Sequence, residues 1–421
     1  MHPQDPDVAP ESEVRSYSRD WPTLFTHARG SRTTDAHGRS YLDFFAGAGT
    51  LNYGHNPAPL KKALLAYLED DGITHSLDLF TAARTDFLRA LQSCVLAPRG
   101  LDYRVQFPGP TGTNAVEAAL KLARKVTGRQ TVVAFTGAFH GMSLGSLAVT
   151  GNEAKRAGAG VALGQVHRLP YDGFAGGTVN GPALLDAMLT SKNSGLDRPA
   201  AVIVETVQGE GGVQVASDQW LRALARVCRR HDMLLIVDDV QMGCGRTGGF
   251  FSFEASGVVP DIVCLSKALS GYGLPLALTL FRPELDVWAP GEHNGTFRGH
   301  NLAFVTAAAA LREFWQNDLL EQRTLRRAEQ IADRLRELPG ARVRGRGLVW
   351  GVEFDDPATA GRVSRAAFER GLLVETSGAR GEVVKLLPPL TVSDAELEEG
   401  LTLLEESVAA VSPPLRVPLA A

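Results

Sequence analysis

Three short apolar runs in this chain each end on a residue that could do chemistry. AAVIV (200–204) runs into Glu205, MLLIV (233–237) into Asp238 and Asp239, and DIVCL (261–265) into Ser266 and Lys267. Lys267 lies in an apolar neighbourhood, CLSKALSGYGLPLALTLF. Desolvation there penalises the cation and makes the amine easier to deprotonate. A neutral lysine amine is the nucleophile that forms a Schiff base with a carbonyl. Taken singly, each of these positions reads first as an ordinary solvated strand end tied by an ion pair.

A Schiff-base lysine serves a pyridoxal 5'-phosphate (PLP) site only if two further groups are present. A carboxylate must keep the pyridine nitrogen protonated, and Asp238 is the natural candidate. Backbone N–H groups at a helix start must hold the phosphate. FPGPTGTNAVEAALKLARKVTG supplies a turn-rich loop and then a helical pattern from about Asn114, so that Gly112, Thr113 and Asn114 would present the donors. The same stretch alone reads first as an ordinary capped helix. The run from Gly243 to Gly248 matches GxGxxG, but a dinucleotide site needs a helix to open there. The chain continues GFFSFEASG instead, and that reading is rejected. His55, His140, His293 and His300 show no HxH or HxxxH spacing, so no metal site is expected.

These groups need a scaffold that brings strand ends together. TVVAF (131–135), AAVIV, MLLIV and DIVCL are continuous apolar runs separated by helical patterns such as Trp220 to Arg230. Such runs suit parallel strands covered on both faces. The alternation predicts an α/β chain with a doubly wound, mainly parallel sheet, whose ligands bind beyond the carboxyl ends of its strands. A charged helix (Leu320 to Leu338), strand candidates LVWGVEF (348–354) and VVKLL (383–387), and a last helix from Ser393 predict a smaller α+β domain. The strand candidate SYLDFFA (40–46) needs partners. The expected division is therefore 1–60 joining the small domain, 61–318 as the large domain and 319–421 as the small one. Residues Met1 to about Glu13 are expected to form a loose arm, and SPPLRVPLAA a Pro-rich tail.

With 421 residues, 44% hydrophobic and 21% charged, the chain has an ordinary globular balance. A net charge of −4 marks it for neither nucleic acid nor an acidic membrane surface. The start of the chain has no apolar core, so no signal peptide is expected. Leu302 to Phe314 is too short to span a bilayer and reads as a buried helix. Cys94, Cys228, Cys244 and Cys264 form no CxxC pair and read as reduced thiols of a cytoplasmic protein.

The run LLIVDDVQMGCGRTGGFFSFE followed by PDIVCLSKALSGYGLPLALTLF resembles the signature of the class III (ω-type) PLP-dependent aminotransferases, and the likeness extends from about Ser16 to Val411. Within that class FFAGAGTLNYGHN, DDGITHSLD, FHGMSLGSLAVTGN and PGEHNGTFRGHNLAF are most similar to the diaminobutyrate–2-oxoglutarate aminotransferases of ectoine biosynthesis. The resemblance implies PLP fold type I, aspartate aminotransferase-like, and a homodimer or higher homo-oligomer. It implies that Lys267 carries the cofactor and Asp238 pairs with the pyridine nitrogen. Gln241 would reach the ring hydroxyl, Phe139 and Val240 would pack on the two ring faces, and His140 would lie beside the cofactor. Gly112, Thr113 and Asn114 would hold the phosphate, Thr296 would reach a neighbouring subunit's phosphate, and Glu205 would support Asp238 or the ring edge. On the substrate side the resemblance implies Trp21, Arg298, and Glu210 as an acidic gate for a cation.

Two positions depart from the general pattern. Asp238-Asp239 stands where the class has Asp-Glu, and Lys385, in VVKLLPPL, stands where an arginine is expected. Lysine is a point charge without arginine's bidentate fork. The implied reaction joins L-aspartate 4-semialdehyde and L-glutamate to L-2,4-diaminobutyrate and 2-oxoglutarate. The rivals are aminotransferases acting on acetylornithine, ornithine or 4-aminobutyrate, a glutamate-1-semialdehyde-type aminomutase, and a non-catalytic protein that kept the fold.

Overall fold

The computed structural model describes residues 9–411; the first eight residues of the expected arm and the expected tail SPPLRVPLAA lie outside them. Its centre is a seven-stranded sheet. The strands run in the order Arg104–Gln106, Leu278–Phe281, Ile262–Leu265, Leu234–Asp238, Ala201–Val204, Val132–Phe135, Val166–Leu169. Leu278–Phe281 is antiparallel to both neighbours, and the remaining pairs are parallel. Every residue of the strands Val132–Phe135, Ala201–Val204 and Ile262–Leu265 is buried, as their unbroken apolar sequences require.

Helices cover both faces of this sheet. Helix Asp218–Arg230 starts where Ser217 accepts a hydrogen bond from the Trp220 N–H, and it buries Trp220, Leu221, Leu224 and Cys228. Helix Gly112–Thr127 begins two residues before the expected start. Asn114 Oδ1 accepts from both the Thr111 N–H and the Thr111 hydroxyl, which fixes the turn into the helix. Gly128, at φ 67°, ends it in the left-handed conformation that glycine adopts freely.

A second, antiparallel sheet takes the order Ala341–Arg346, Val349–Phe354, Val383–Leu386, Glu375–Ser377. Helices Pro357–Arg370 and Asp394–Val411 accompany it. The strands Phe25–Arg29, Arg32–Asp35 and Ser40–Asp43 form a third sheet, in which Ser40–Asp43 pairs in parallel with Leu372–Leu373. The expected strand 40–46 stops at Asp43, because the Asp43 Oδ1 accepts from the Phe45 and Ala46 N–H groups and turns the chain.

Arg246 ties these parts together. It is fully buried and donates to the carbonyls of Leu348 and Pro388 and to Asn52 Oδ1, at 2.6–2.8 Å. Among the described residues no helix is long and apolar enough to cross a membrane.

Candidate active site

The carboxyl ends of four neighbouring strands converge on one cavity of about 160 Å³, lined by Gly112, Thr113, Phe139, His140, Gly141, Glu205, Glu210, Asp238, Val240, Gln241, Met242 and Lys267. The sheet order makes this inevitable. Strands Ile262–Leu265, Leu234–Asp238, Ala201–Val204 and Val132–Phe135 lie side by side, so the residues just past their ends share one rim.

Lys267 follows its strand at a tight helical turn, with φ at 47°, a left-handed value that a non-glycine residue holds only against strain. Burial lowers its pKa below the ordinary lysine value. Glu210 partly offsets this and Lys385 adds to it. No ion pair ties the Lys267 amine among the described residues.

Asp238 accepts from the Val240 N–H through Oδ1, and its Oδ2 stands 2.7 Å from His140 Nδ1. The other ring nitrogen of His140, Nε2, is buried without a partner. Glu205 Oε2 accepts from the Phe139 N–H at 3.0 Å. Burial pushes the Glu205 carboxyl up to about 8; Asp238 adds to the rise and His140 opposes it.

A second cluster borders the first. Lys385 is fully buried and donates to Glu210 Oε1 at 2.6 Å, with Glu375 Oε1 3.1 Å away. The Lys385 ammonium thus stands between two carboxylates, those of Glu210 and Glu375. Tyr17 donates to Glu375 Oε2 at 3.1 Å. Burial would raise Glu210, but the neighbouring Lys385 and Lys267 bring it down to about 2.

Of the residues singled out in the sequence, Gly112, Thr113, Phe139, His140, Glu205, Glu210, Asp238, Val240, Gln241 and Lys267 line this cavity, and Lys385 borders it through Glu210. Four stand elsewhere in the chain. The Asn114 carbonyl is occupied by Thr111 at the helix start. Trp21 is buried against Phe45 and Tyr17. The Thr296 carbonyl accepts from His75. Arg298 reaches Asp78 and Asn294 and lines a separate cavity with Trp288 and His293. Sequence reasoning missed Glu375 and Tyr17. Two apolar runs flank the turn in LLVETSGARGEVVKLL, and a hairpin symmetric about Arg380 puts Glu375 opposite Lys385, which is the observed register.

The cavity has the features a PLP site requires. It offers an amine without a partner, a buried carboxylate backed by a histidine, and a 16-residue helix whose first residue, Gly112, faces it. A Cβ on Gly112 would stand 2.7 Å from Val240 Cγ1, so only glycine lets the backbone come this close. Among the described residues no cluster of three or more His, Cys, Asp or Glu side chains could hold a metal ion.

A doubly wound sheet whose adjacent strand ends bring an aspartate and a lysine into one cavity with a glycine-led helix start defines a group-transfer enzyme of the aminotransferase kind. The chain belongs to the class-III aminotransferase family, whose model matches residues 15–408. It is 62% identical over 402 residues to a diaminobutyrate–2-oxoglutarate transaminase of Streptomyces anulatus, covering 94% of this chain and 96% of that protein. It is 55% identical over 401 residues to the Vibrio cholerae protein of the same name, covering 94% and 97%. Solved structures with the same fold include the ornithine aminotransferase of Toxoplasma gondii, at TM-score 0.82 and 28% identity, covering 97% of this chain and 92% of that one. A PLP-bound amine transaminase from an uncultivated Pseudomonas species gives TM-score 0.84 at 27% identity, covering 96% and 98%.

Proposed function

We propose that this chain is a PLP-dependent transaminase that interconverts L-aspartate 4-semialdehyde plus L-glutamate and L-2,4-diaminobutyrate plus 2-oxoglutarate. The observation that carries the class of chemistry is the placement of Lys267 and Asp238 in one buried cavity at adjacent strand ends. The substrate pair is supported by relatives of that activity at 54–62% identity over nearly the whole chain.

When bound, PLP draws electrons from the substrate carbon that bears the amine and stores that amine between two half-reactions. Lys267 would hold it covalently. Gly112 and Thr113 would hold its phosphate through the helix start, and Phe139 and Val240 would flank the ring. Asp238, oriented by the His140 Nδ1 contact, would keep the ring nitrogen protonated. Once released, the Lys267 amine would take the proton from the substrate carbon that bears the amine and return it on the other side of the transferred nitrogen. Its depressed proton affinity suits it to both steps.

Glutamate presents a carboxylate beside its reacting amine. Diaminobutyrate, reacting through its 4-amine, does not. Lys385 would receive that carboxylate, and Glu210, already hydrogen-bonded to it, would neutralise the ammonium when no carboxylate is present. The reading also takes the chain as a cytoplasmic homodimer serving ectoine or another diaminobutyrate-derived product. Four free, buried cysteines support a reducing compartment. Strongly exposed apolar side chains support association, since Phe80 is 95% and Phe297 64% exposed, and His75 packs edge-on against Phe297 next to Thr296. Sedimentation at assay concentration checks this, and a fully active monomer would contradict it.

The deciding experiment follows conversion of bound cofactor to its amine form after adding single amines. Diaminobutyrate and glutamate should each convert it, with 2-oxoglutarate and aspartate semialdehyde reversing the change. Conversion by ornithine, acetylornithine or 4-aminobutyrate in preference to diaminobutyrate would replace the substrate assignment. Turnover needing no external oxo acid would point to a mutase.

A further inference from the structure

We infer that Glu117 is a positioning residue for the cofactor phosphate: its carboxylate clamps the segment 141–146 against the start of helix Gly112–Thr127 and so fixes the Thr113 side chain. This rests on the function proposed above and deepens it. Glu117 does not itself line the cavity, whereas Gly112, Thr113 and Gly141 do.

The first observation is a carboxylate oxygen that accepts twice. Glu117 stands four residues after Thr113 in the same helix, hence on the same face. Its Oε1 accepts from the Ser143 hydroxyl at 2.6 Å and from the Ser146 N–H at 3.0 Å. The lysine four residues further on, Lys121, would be its usual surface partner. Lys121 donates instead to the Glu292 carbonyl. The Glu117 carboxylate therefore serves the neighbouring segment, which leads into the helix Leu144–Val149.

The same two serines hold Thr113. Thr113 Oγ1 stands 2.6 Å from Ser143 Oγ and 2.9 Å from Ser146 Oγ. Each serine spends its own hydroxyl proton elsewhere, Ser143 on Glu117 and Ser146 on the Thr113 carbonyl. A hydroxyl has one proton to give, so Thr113 is the donor toward both serine oxygens. Its hydroxyl is held in place while its proton remains free to turn to a phosphate oxygen.

The third observation is close packing at both ends of the segment. A Cβ on Gly141 would stand 2.8 Å from Thr113 Cβ and 3.0 Å from Ser146 Cβ. A Cβ on Gly145 would stand 2.8 Å from Glu117 Cδ. Glycine at these two positions lets the segment press against Thr113 and Glu117 together. A donor fixed before the anion arrives costs less to order on binding, so loss of the clamp should be felt by the phosphate and not by the ring.

Affinity is measured for PLP and for pyridoxal, which lacks the phosphate, by titrating cofactor-depleted protein and following the absorbance of the lysine-bound ring. Glu117→Ala should weaken PLP about tenfold relative to pyridoxal, the lower end of the effect of a hydrogen bond to a charged group. Glu117→Gln keeps an oxygen that can accept both hydrogen bonds and should hold that ratio within about threefold of the unaltered protein. Ser143→Ala, which serves if Glu117→Ala folds poorly, removes the hydroxyl between Glu117 and Thr113 and should lower the ratio about two- to fivefold. Equal weakening of both ligands, no weakening of either, or a Glu117→Gln variant that falls as far as Glu117→Ala would overturn the assignment. An unaltered protein that binds pyridoxal as tightly as PLP would instead remove the phosphate site itself, and the role of Glu117 with it.

Discussion

His140 Nδ1 stands 2.7 Å from Asp238 Oδ2, and both side chains are buried. The contact joins two neighbourhoods, because the His140 N–H also donates to Thr150 and the adjacent Phe139 N–H to Glu205. Burial alone would lower the imidazole pKa, but the Asp238 carboxylate outweighs it and the net shift is upward. The 2.7 Å contact between His140 Nδ1 and Asp238 Oδ2 fixes the carboxylate where a pyridine nitrogen would meet it.

Asp238→Asn should therefore preserve the fold and lower turnover by orders of magnitude. A neutral amide cannot hold the ring nitrogen protonated, and it also removes the charge that His140 pairs with. Steady-state kcat beside an unchanged melting curve checks this. Near-normal turnover would remove Asp238 from the role.

Asp239 behaves differently from its neighbour. Its Oδ2 accepts from the Ser252 N–H, its Oδ1 has no partner, and burial pushes its pKa up to about 7. The folded protein thus holds a proton there that the unfolded chain, near the ordinary value of 3.8, releases. Stability from this group is fully present below about pH 4 and is lost as pH rises to about 7, with a slope of at most about 1.4 kcal/mol per pH unit. Asp239→Asn should flatten the fall in melting temperature between pH 4 and pH 7. An unchanged profile would show that Asp239 stays ionised in the fold.

Arg246 makes its hydrogen bonds to neutral acceptors, and burial depresses its pKa to about 9. Guanidinium reaches the Leu348 and Pro388 carbonyls and Asn52 through fixed, planar donors, and an ammonium cannot copy that geometry. Arg246→Lys should cost at least about 3 kcal/mol, the value of one or two hydrogen bonds from a charged donor. Denaturant unfolding measures it, and a loss below 1 kcal/mol, roughly a single neutral hydrogen bond, would mean the ammonium finds equivalent partners.

The central sheet and its ligand rim were legible in the sequence for a simple reason. Strands buried on both faces must be apolar throughout, so a charged residue directly after one stands out, as Glu205, Asp238 and Lys267 do. The alternation of such runs with helical patterns also gives their parallel arrangement, which puts the three ends on one side. Contacts that depend on register between distant segments left no comparable mark. Tyr17 meets Glu375 across 358 residues, and Asn52 meets Arg246 across 194. Trp21 and Arg298 show the converse: local sequence resembles a site segment, while the packing within one chain turns the side chain to Phe45 in one case and Asp78 in the other.

Lys385→Ala tests the second cluster through stability as well as rate. With Lys385 present, Glu210 is held at about 2, so its contribution to stability is present above about pH 4.5 and lost as pH falls toward 2. Without the ammonium, Glu210 and Glu375 face each other unpaired, and burial, already raising Glu375 in the intact protein, acts on both. Their folded pKa values then lie above the unfolded ones, so stability is present at low pH and lost as pH rises. The variant should be destabilised by about 3–5 kcal/mol at neutral pH, the usual result of breaking a buried pair, and less in acid. Its melting temperature should lack the rise that the intact Glu210 pair gives between about pH 2 and 4.5, and should fall as pH rises above about 4.5. The glutamate half-reaction should lose about ten- to hundredfold more than the diaminobutyrate half-reaction. Parallel pH profiles with equal losses in both half-reactions would make Lys385 a packing residue, and carboxylate recognition would have to be sought among the other cations of the chain.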